Sequence, residues 1–151
     1  MKIYFSYIIS SLLTAWVILF LYSVSAGFAS FAPIVALFGA LLLFAIAAPL
    51  LLYNSRIGLI LGCILLTMML PYTIGYAKSV LDDRVFNWGV ILSLLPALLT
   101  LFALYLSIKQ IFFQPEINFL LKASASAKFL FAAIPVSITL LYFVFYGREW
   151  F

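Results

Sequence analysis

Residues 3–55, IYFSYIISSLLTAWVILFLYSVSAGFASFAPIVALFGALLLFAIAAPLLLYNS, decide the fold, because no charged side chain occurs between Lys2 and Arg56. One helix over this stretch would measure about 80 Å at about 1.5 Å per residue, whereas the hydrocarbon core of a bilayer is about 30 Å thick. The chain must therefore turn back once. The turn is predicted over 23–33, where Gly27 loosens the backbone and Pro33 suits the first turn of a new helix.

The composition of the whole chain indicates a membrane environment. Of the 151 residues, 68% are hydrophobic and 8% are charged, and the mean hydropathy is +1.31. Soluble domains are about one quarter charged, and a soluble fold of this length would leave about 30% of its unfolded surface in water. The net charge of +4 does not indicate nucleic-acid binding, because the eight basic residues stand singly at the ends of apolar runs. The sequence predicts an all-α integral membrane protein.

Hydropathy divides the chain into five predicted transmembrane helices that form one domain, residues 1–151. The five spans are about 3–22, 33–53, 57–76, 88–108 and 129–146, and a tight hairpin at 54–56 joins the second to the third. Aromatic side chains, which prefer the lipid–water boundary, lie near the ends of the spans: Tyr4, Tyr22, Tyr53, Tyr76, Trp88 and Tyr146. Hydropathy and the aromatic belts therefore indicate the same boundaries.

The segment between spans four and five, about 114–127, is predicted to form a short interfacial helix. Pro115 suits the first helical position. After it, Ile117, Leu120 and Leu121 share one face, which would lie among the lipid headgroups. The alternative is an ordinary loop that extends span four by a turn.

Lysine and arginine predict the orientation of the chain, because they are in excess on the cytoplasmic side of membrane proteins. If the N-terminus is cytoplasmic, that side holds five basic residues and the other side three: Lys2, Arg56, Lys109, Lys122 and Lys128 against Lys78, Arg84 and Arg148. We therefore expect a cytoplasmic N-terminus and a C-terminus on the opposite side. Val-Ser-Ala at 24–26 resembles a signal-peptide cleavage site, but the apolar run before it is longer than the about 7–15 residues of a signal peptide. An uncleaved anchor is favoured.

Small residues at helical spacing predict where the helices pack, since helices in lipid associate through close approach. One face of span one carries Ser6, Ser10 and Thr14, one face of span two carries Ala32, Ala36 and Ala40, and span three carries the pair Gly58 and Gly62. We expect the first two faces to meet in an antiparallel hairpin. The glycine pair favours packing within the chain, with a dimer interface as the alternative.

Proline in spans two to five frees a backbone carbonyl four residues earlier and tends to kink the helix. Polar side chains stand near the prolines of spans three to five. The prolines and these polar residues together are Thr67, Pro71, Ser93, Pro96, Thr100, Pro135 and Ser137. One interpretation is that hydroxyls and neighbouring helices satisfy the freed backbone groups. The other is a hydrated cavity among spans three to five that holds a substrate. The first is favoured.

The sequence offers little reaction chemistry. It has no histidine and one cysteine, Cys63, and its four acids lie in the predicted loops and tails: Asp82, Asp83, Glu116 and Glu149. We therefore predict no catalytic residues, no cofactor and no metal site. No charged residue lies inside a predicted span, which argues against proton coupling. Lys109, Lys122 and Lys128 are candidates for contact with anionic lipid headgroups, at about 1 kcal/mol each.

These observations favour a non-catalytic, multi-pass membrane subunit or accessory protein. Its expected partners are membrane lipids and the subunits of a larger membrane complex, and it is not expected to bind nucleic acid. The alternative is a small oligomeric transporter or channel that uses the proline-containing spans three to five.

Overall fold

The computed structural model of the protein describes residues 2–24, 31–82, 88–113 and 124–146. These residues form five helices: α1 (Lys2–Val24), α2 (31–53), α3 (Ser55–Asp82), α4 (Trp88–Phe113) and α5 (Ala125–Tyr146). Helix α2 has three consecutive pieces, which are α-helical Phe31–Leu42, π-helical Leu43–Ala47 and α-helical Ala48–Tyr53. All five helices are long and apolar enough to cross a membrane. The protein is thus all-helical over the described residues, as predicted, and its five candidate spans are those of a multi-pass membrane protein.

Three helices extend beyond the predicted spans by a helical turn or more. Helix α3 continues to Asp82, α4 continues to Phe113, and α5 begins at Ala125. Hydropathy marks the part of a helix that lies in hydrocarbon. The helix itself can continue beyond the hydrocarbon for as long as its backbone hydrogen bonds are formed. Ser124 caps α5, because its side-chain oxygen accepts a hydrogen bond of 3.3 Å from the backbone N–H of Ala127.

The predicted interfacial helix is not shown. Residues 114–123 lie outside the described part of the chain, and 125–127 form the first turn of α5. The predicted turn at 23–33 is helical at both ends, and its centre, 25–30, also lies outside the described residues.

Helices α1 to α4 form a closed ring. Helix α1 packs against α2 and α4, and α3 packs against the same two helices. Their shared core contains Tyr4 and Tyr7 of α1, Leu43 of α2, Leu66 of α3 and Ala103 of α4. Helix α5 lies outside this ring and packs against residues 43–53 of α2. Four helices therefore enclose the core, and the fifth covers one side of it.

A single residue joins α2 to α3. The backbone N–H of Asn54 donates to the Leu50 carbonyl at 2.7 Å, and the Asn54 carbonyl accepts from the N–H of Gly58 at 3.0 Å. The side-chain oxygen of Asn54 also accepts from the N–H of Ile57 at 3.4 Å. Asn54 thus ends one helix and caps the next, so the other two residues of the predicted hairpin, 55–56, belong to α3.

The π-helical piece of α2 comes directly before a proline. Pro49 has no N–H to donate to the carbonyl of Ala45, and in a regular helix its ring would press against that carbonyl. The N–H of Ala48 donates to the carbonyl of Leu43 instead, five residues earlier. The widened turn accommodates the proline within one continuous helix.

Candidate functional site

Two pairs of hydroxyls connect α1 to α4 inside the ring. Ser10 and Thr100 are joined at 3.0 Å between their side-chain oxygens, and the Tyr7 and Ser107 hydroxyls form a second hydrogen bond. We call these four residues the hydroxyl seam. All of them are fully buried.

The directions of these hydrogen bonds follow from the backbone. Thr100 donates to the Pro96 carbonyl at 2.7 Å, and Ser107 donates to the Ala103 carbonyl at 2.6 Å. Because each hydroxyl has one proton, Ser10 donates to Thr100, and Tyr7 donates to Ser107. Every proton of the hydroxyl seam is therefore used inside the chain.

Ser10 on the hydroxyl face of α1 bonds α4, whereas the expected contact of this face was with the alanine face of α2. Ser6, Ser10 and Thr14 are all buried, and Ser10 bonds Thr100. The hydroxyls of Ser6 and Thr14 are buried without a hydrogen-bond partner among the described residues. A buried hydroxyl gains more from a neighbouring helix that carries hydroxyls than from one that carries methyl groups.

The alanine face of α2 packs against the other side of α1. Ala36 is buried in a cluster with Ile18 of α1, and Ala15 packs against the same cluster. Ala40 is buried in the main core. Ala32 lies in α2, but its side chain is outside the described part of the chain.

The glycine pair of α3, Gly58 and Gly62, makes close contacts within the chain. A Cβ at Gly58 would lie 2.6 Å from the backbone nitrogen of Leu51, and a Cβ at Gly62 would lie 2.4 Å from the Tyr7 ring. Gly58 therefore permits the close approach of α2 and α3, and Gly62 makes the space for a buried aromatic ring from α1.

The residues of the predicted cavity are not brought together. Thr67 and Pro71 of α3 and Ser137 of α5 are exposed, whereas Pro96 and Thr100 are buried next to each other on α4 and Pro135 is buried on α5. Ser93 is half-buried and donates to the Gly89 carbonyl at 2.8 Å. The arrangement of the described residues does not favour the alternative of a cavity among spans three to five, because α5 packs on α2.

One freed carbonyl has a partner from another helix. Pro135 cannot donate to the Phe131 carbonyl, and the Tyr4 hydroxyl donates to that carbonyl instead. The two rings also meet edge to face, with their centroids 5.7 Å apart. Tyr4 was predicted as part of an aromatic belt, but it is buried and anchors the first half of α5 to α1.

A crevice lies beyond this anchor, between α5 and the pair α1 and α2. Its volume is about 60 Å³, and the residues that line it are Ser11, Leu12, Ala15, Ala40, Leu41, Phe44, Ile138, Thr139 and Tyr142. Leu12 and Ile138 are 42% and 40% exposed and form its rim. No sequence pattern predicts this crevice, because it depends on where α5 lies.

The lysines predicted to contact lipid headgroups lie apart from these features. Lys109 is exposed near the end of α4, and Lys128 is half-buried in the first turn of α5. Lys122 is outside the described residues. All the acidic and basic side chains that the structure describes lie near helix ends: Lys2, Arg56, Lys78, Asp82, Lys109 and Lys128.

Sequence reasoning missed Tyr7 and Ser107 of the hydroxyl seam. Tyr7 lies on the same face of α1 as Ser10, three residues away, and Ser107 lies two turns after Thr100. A tyrosine in the middle of an apolar helix usually finds a hydrogen-bond partner when it is buried. This was the available signal, but it does not say which helix supplies the partner.

The hydrogen bond between Ser10 and Thr100 is open to a double-mutant test. We expect Ser10→Ala and Thr100→Ala to show a coupling of about 0.6 kcal/mol, and at most about 1.7 kcal/mol, as for hydrogen bonds between helices in other membrane proteins. The measurement is the free energy of unfolding in one fixed detergent.

The matched control is a second cycle that combines Ser93→Ala with Thr100→Ala. Ser93 is suitable because it bonds a carbonyl of its own helix. A Ser10–Thr100 coupling no larger than the Ser93–Thr100 coupling would contradict the geometry of the seam.

No family model matches this chain, and no curated protein or solved structure matches it either.

Proposed function

We propose that this protein is a non-catalytic membrane subunit that packs laterally against a larger membrane protein. The observation that carries the proposal is the contrast between the interior and the outside of the bundle. The hydroxyls of the seam are all hydrogen-bonded within the chain. The acidic and basic groups of the described residues stand near helix ends. Over the described residues, such an interior supports the fold and offers no acid, base or nucleophile with an activating partner.

The outer side of α5 is the surface proposed for the partner. Only 11% of the most apolar stretch of Ala125–Phe145 is buried inside the chain. This is the smallest buried share among the five candidate spans. Exposed large side chains run along its length: Phe129, Leu130, Ile134, Leu140, Leu141, Val144 and Phe145. A helix held by α2 on one side has most of its surface available for a neighbouring helix.

The alternative, a small oligomeric transporter, has less support. Its expected cavity residues are dispersed, and Thr67 and Ser137 are on the outside of the bundle. The predicted orientation of the chain and its contacts with anionic headgroups remain part of the proposal.

The test is the mass and composition of the particle extracted in a mild detergent or in lipid nanodiscs. We expect the chain to be recovered with a larger membrane protein in fixed stoichiometry. The double variant Leu140→Ala and Val144→Ala on the outer side of α5 should reduce this recovery by about tenfold, because truncating central contact residues costs about 1–2 kcal/mol.

The control is Leu92→Ala with Leu98→Ala on the exposed face of α4, which should leave recovery unchanged. Recovery of the wild-type chain alone or as a homo-oligomer would overturn the proposal, and transport assays on the purified chain would then follow.

A further inference from the structure

The crevice between α5 and the pair α1 and α2 lies between two places where α5 touches the bundle. On one side, Phe131 and Ala132 pack against the main core, and Tyr4 bonds the Phe131 carbonyl. On the other side, Tyr142 packs against the cluster that contains Ala36 and Leu41. Pro135 interrupts the backbone ladder of α5 between these contacts. The gap is therefore a defined feature of the fold, and both of its ends are held.

The π-helical piece of α2 contributes to the same place. Phe44, which lies in that piece, lines the crevice together with Leu41 just before it. π-helical turns are rare and occur often at functional sites. An irregular turn in α2 and a proline in α5 thus both accompany the crevice.

The lining is mostly apolar, and its polar side-chain groups are the hydroxyls of Ser11, Thr139 and Tyr142. Ser11 donates its proton to the Tyr7 carbonyl at 2.7 Å, and Thr139 donates its proton to the Pro135 carbonyl at 2.8 Å. The protons of both aliphatic hydroxyls in the lining are therefore used within their own helices. No lining residue is acidic or basic. Such a site offers contact to hydrocarbon and no ion pair to a headgroup.

The position of the rim indicates where the occupant comes from. Leu12 and Ile138 line the crevice and are also exposed on the apolar outside of α1 and α5. In a bilayer this rim would face acyl chains. A volume of about 60 Å³ admits a short stretch of an extended chain but not a whole lipid. A chain segment in this gap gains the close contacts that an empty apolar cavity lacks.

We propose that this crevice binds one acyl chain of a bilayer phospholipid, whose headgroup stays outside. The proposal does not depend on the proposed function, because none of the residues that line the crevice is among those proposed for the partner.

The test uses the purified full chain in detergent micelles with a phosphatidylcholine that carries a diazirine in the middle of one acyl chain. After irradiation we expect labelled peptides from residues 11–15, 40–44 and 138–142. The labelling should saturate at one lipid per chain and fall about tenfold with a tenfold excess of unlabelled phosphatidylcholine, as mass action requires of a single site.

Two variants fill the crevice. Ala15→Phe places a ring inside it, and Ile138→Trp covers its rim at a partly exposed position where folding is less affected. Both should lower crevice labelling about tenfold. Leu98→Phe, on the exposed face of α4, is the control and should have no effect. Gel-filtration elution and the thermal unfolding midpoint establish that each variant is folded.

Two results would overturn the proposal. The first is labelling at 11–15 and 138–142 that does not saturate and is no stronger than at residues around Leu98, which would indicate annular lipid alone. The second is a photoreactive side chain at Leu12 that captures a protein in native membranes and not a lipid, which would make the crevice a contact for another helix.

Discussion

Replacing Gly58 by alanine is expected to destabilise the bundle by about 3 kcal/mol or more, the upper part of the range for overpacked sites. The new Cβ would lie 2.6 Å from the backbone nitrogen of Leu51 and 2.9 Å from its Cα. These are backbone atoms, so no side-chain rotation relieves the clash. Helices α2 and α3 would have to move apart next to Asn54, where a single residue joins them.

Gly75→Ala in the same helix is the matched control. No atom lies within 4 Å of the Cβ that this substitution adds. Because alanine is a better helix former than glycine, we expect Gly75→Ala to be neutral or to stabilise the protein by up to about 1 kcal/mol. The measurement is the free energy of unfolding of both variants in the same detergent. Equal values for the two variants would contradict the close approach of α2 and α3.

The second large effect is expected where α1 meets α3, between Tyr7 and Gly62. A Cβ at Gly62 would lie 2.4 Å from a carbon of the Tyr7 ring, and that ring is fully buried. Gly62→Ala alone should cost about 1–3 kcal/mol by overpacking. Tyr7→Ala alone should cost about 3–5 kcal/mol, because it leaves a cavity the size of an aromatic ring.

The double variant should cost less than the sum of the two single variants by more than about 1 kcal/mol, since the alanine methyl group then points into the space that the ring has left. The control cycle uses Tyr105→Ala in place of Tyr7→Ala, because Tyr105 is exposed on α4. That cycle should be additive within about 0.5 kcal/mol. An additive cycle at Tyr7 and Gly62 would show that the ring does not lie on this glycine.

Both effects arise at glycines, where the missing side chain leaves space for a neighbouring helix. Gly58 and Gly62 lie one helical turn apart on α3, yet Gly58 meets the backbone of α2 and Gly62 meets a side chain of α1. The same short motif therefore serves two different helix contacts. In lipid this is how a bundle gains stability, because close packing replaces the hydrophobic effect between helices.

The fold class could be predicted because crossing a bilayer is a local property of each segment. Residues 57–76 or 88–108 are apolar enough to enter lipid whatever surrounds them, and α3 and α4 contain both segments. Helix ends were less accurate, since hydropathy stops at the edge of the hydrocarbon while α3 continues to Asp82. The tight hairpin predicted at 54–56 is reduced to Asn54, whose side chain caps α3.

The buried residues of the site could be predicted in part. Ser10 and Thr100 both stood out from their apolar neighbours, and both are buried. Their pairing could not be derived, because small and hydroxyl side chains occur on several faces of several helices, and each face is compatible with more than one neighbour.

The sequence by itself determined the five apolar spans, their approximate positions and the absence of charged side chains from the apolar runs. Tertiary structure alone decided that Ser10 meets Thr100 and not the alanines of α2, and that α5 lies on α2. It also decided that Tyr4 satisfies the carbonyl freed by Pro135. The physical reason is that membrane insertion depends on the composition of one segment, whereas helix packing depends on the fit of two surfaces that lie far apart in the chain.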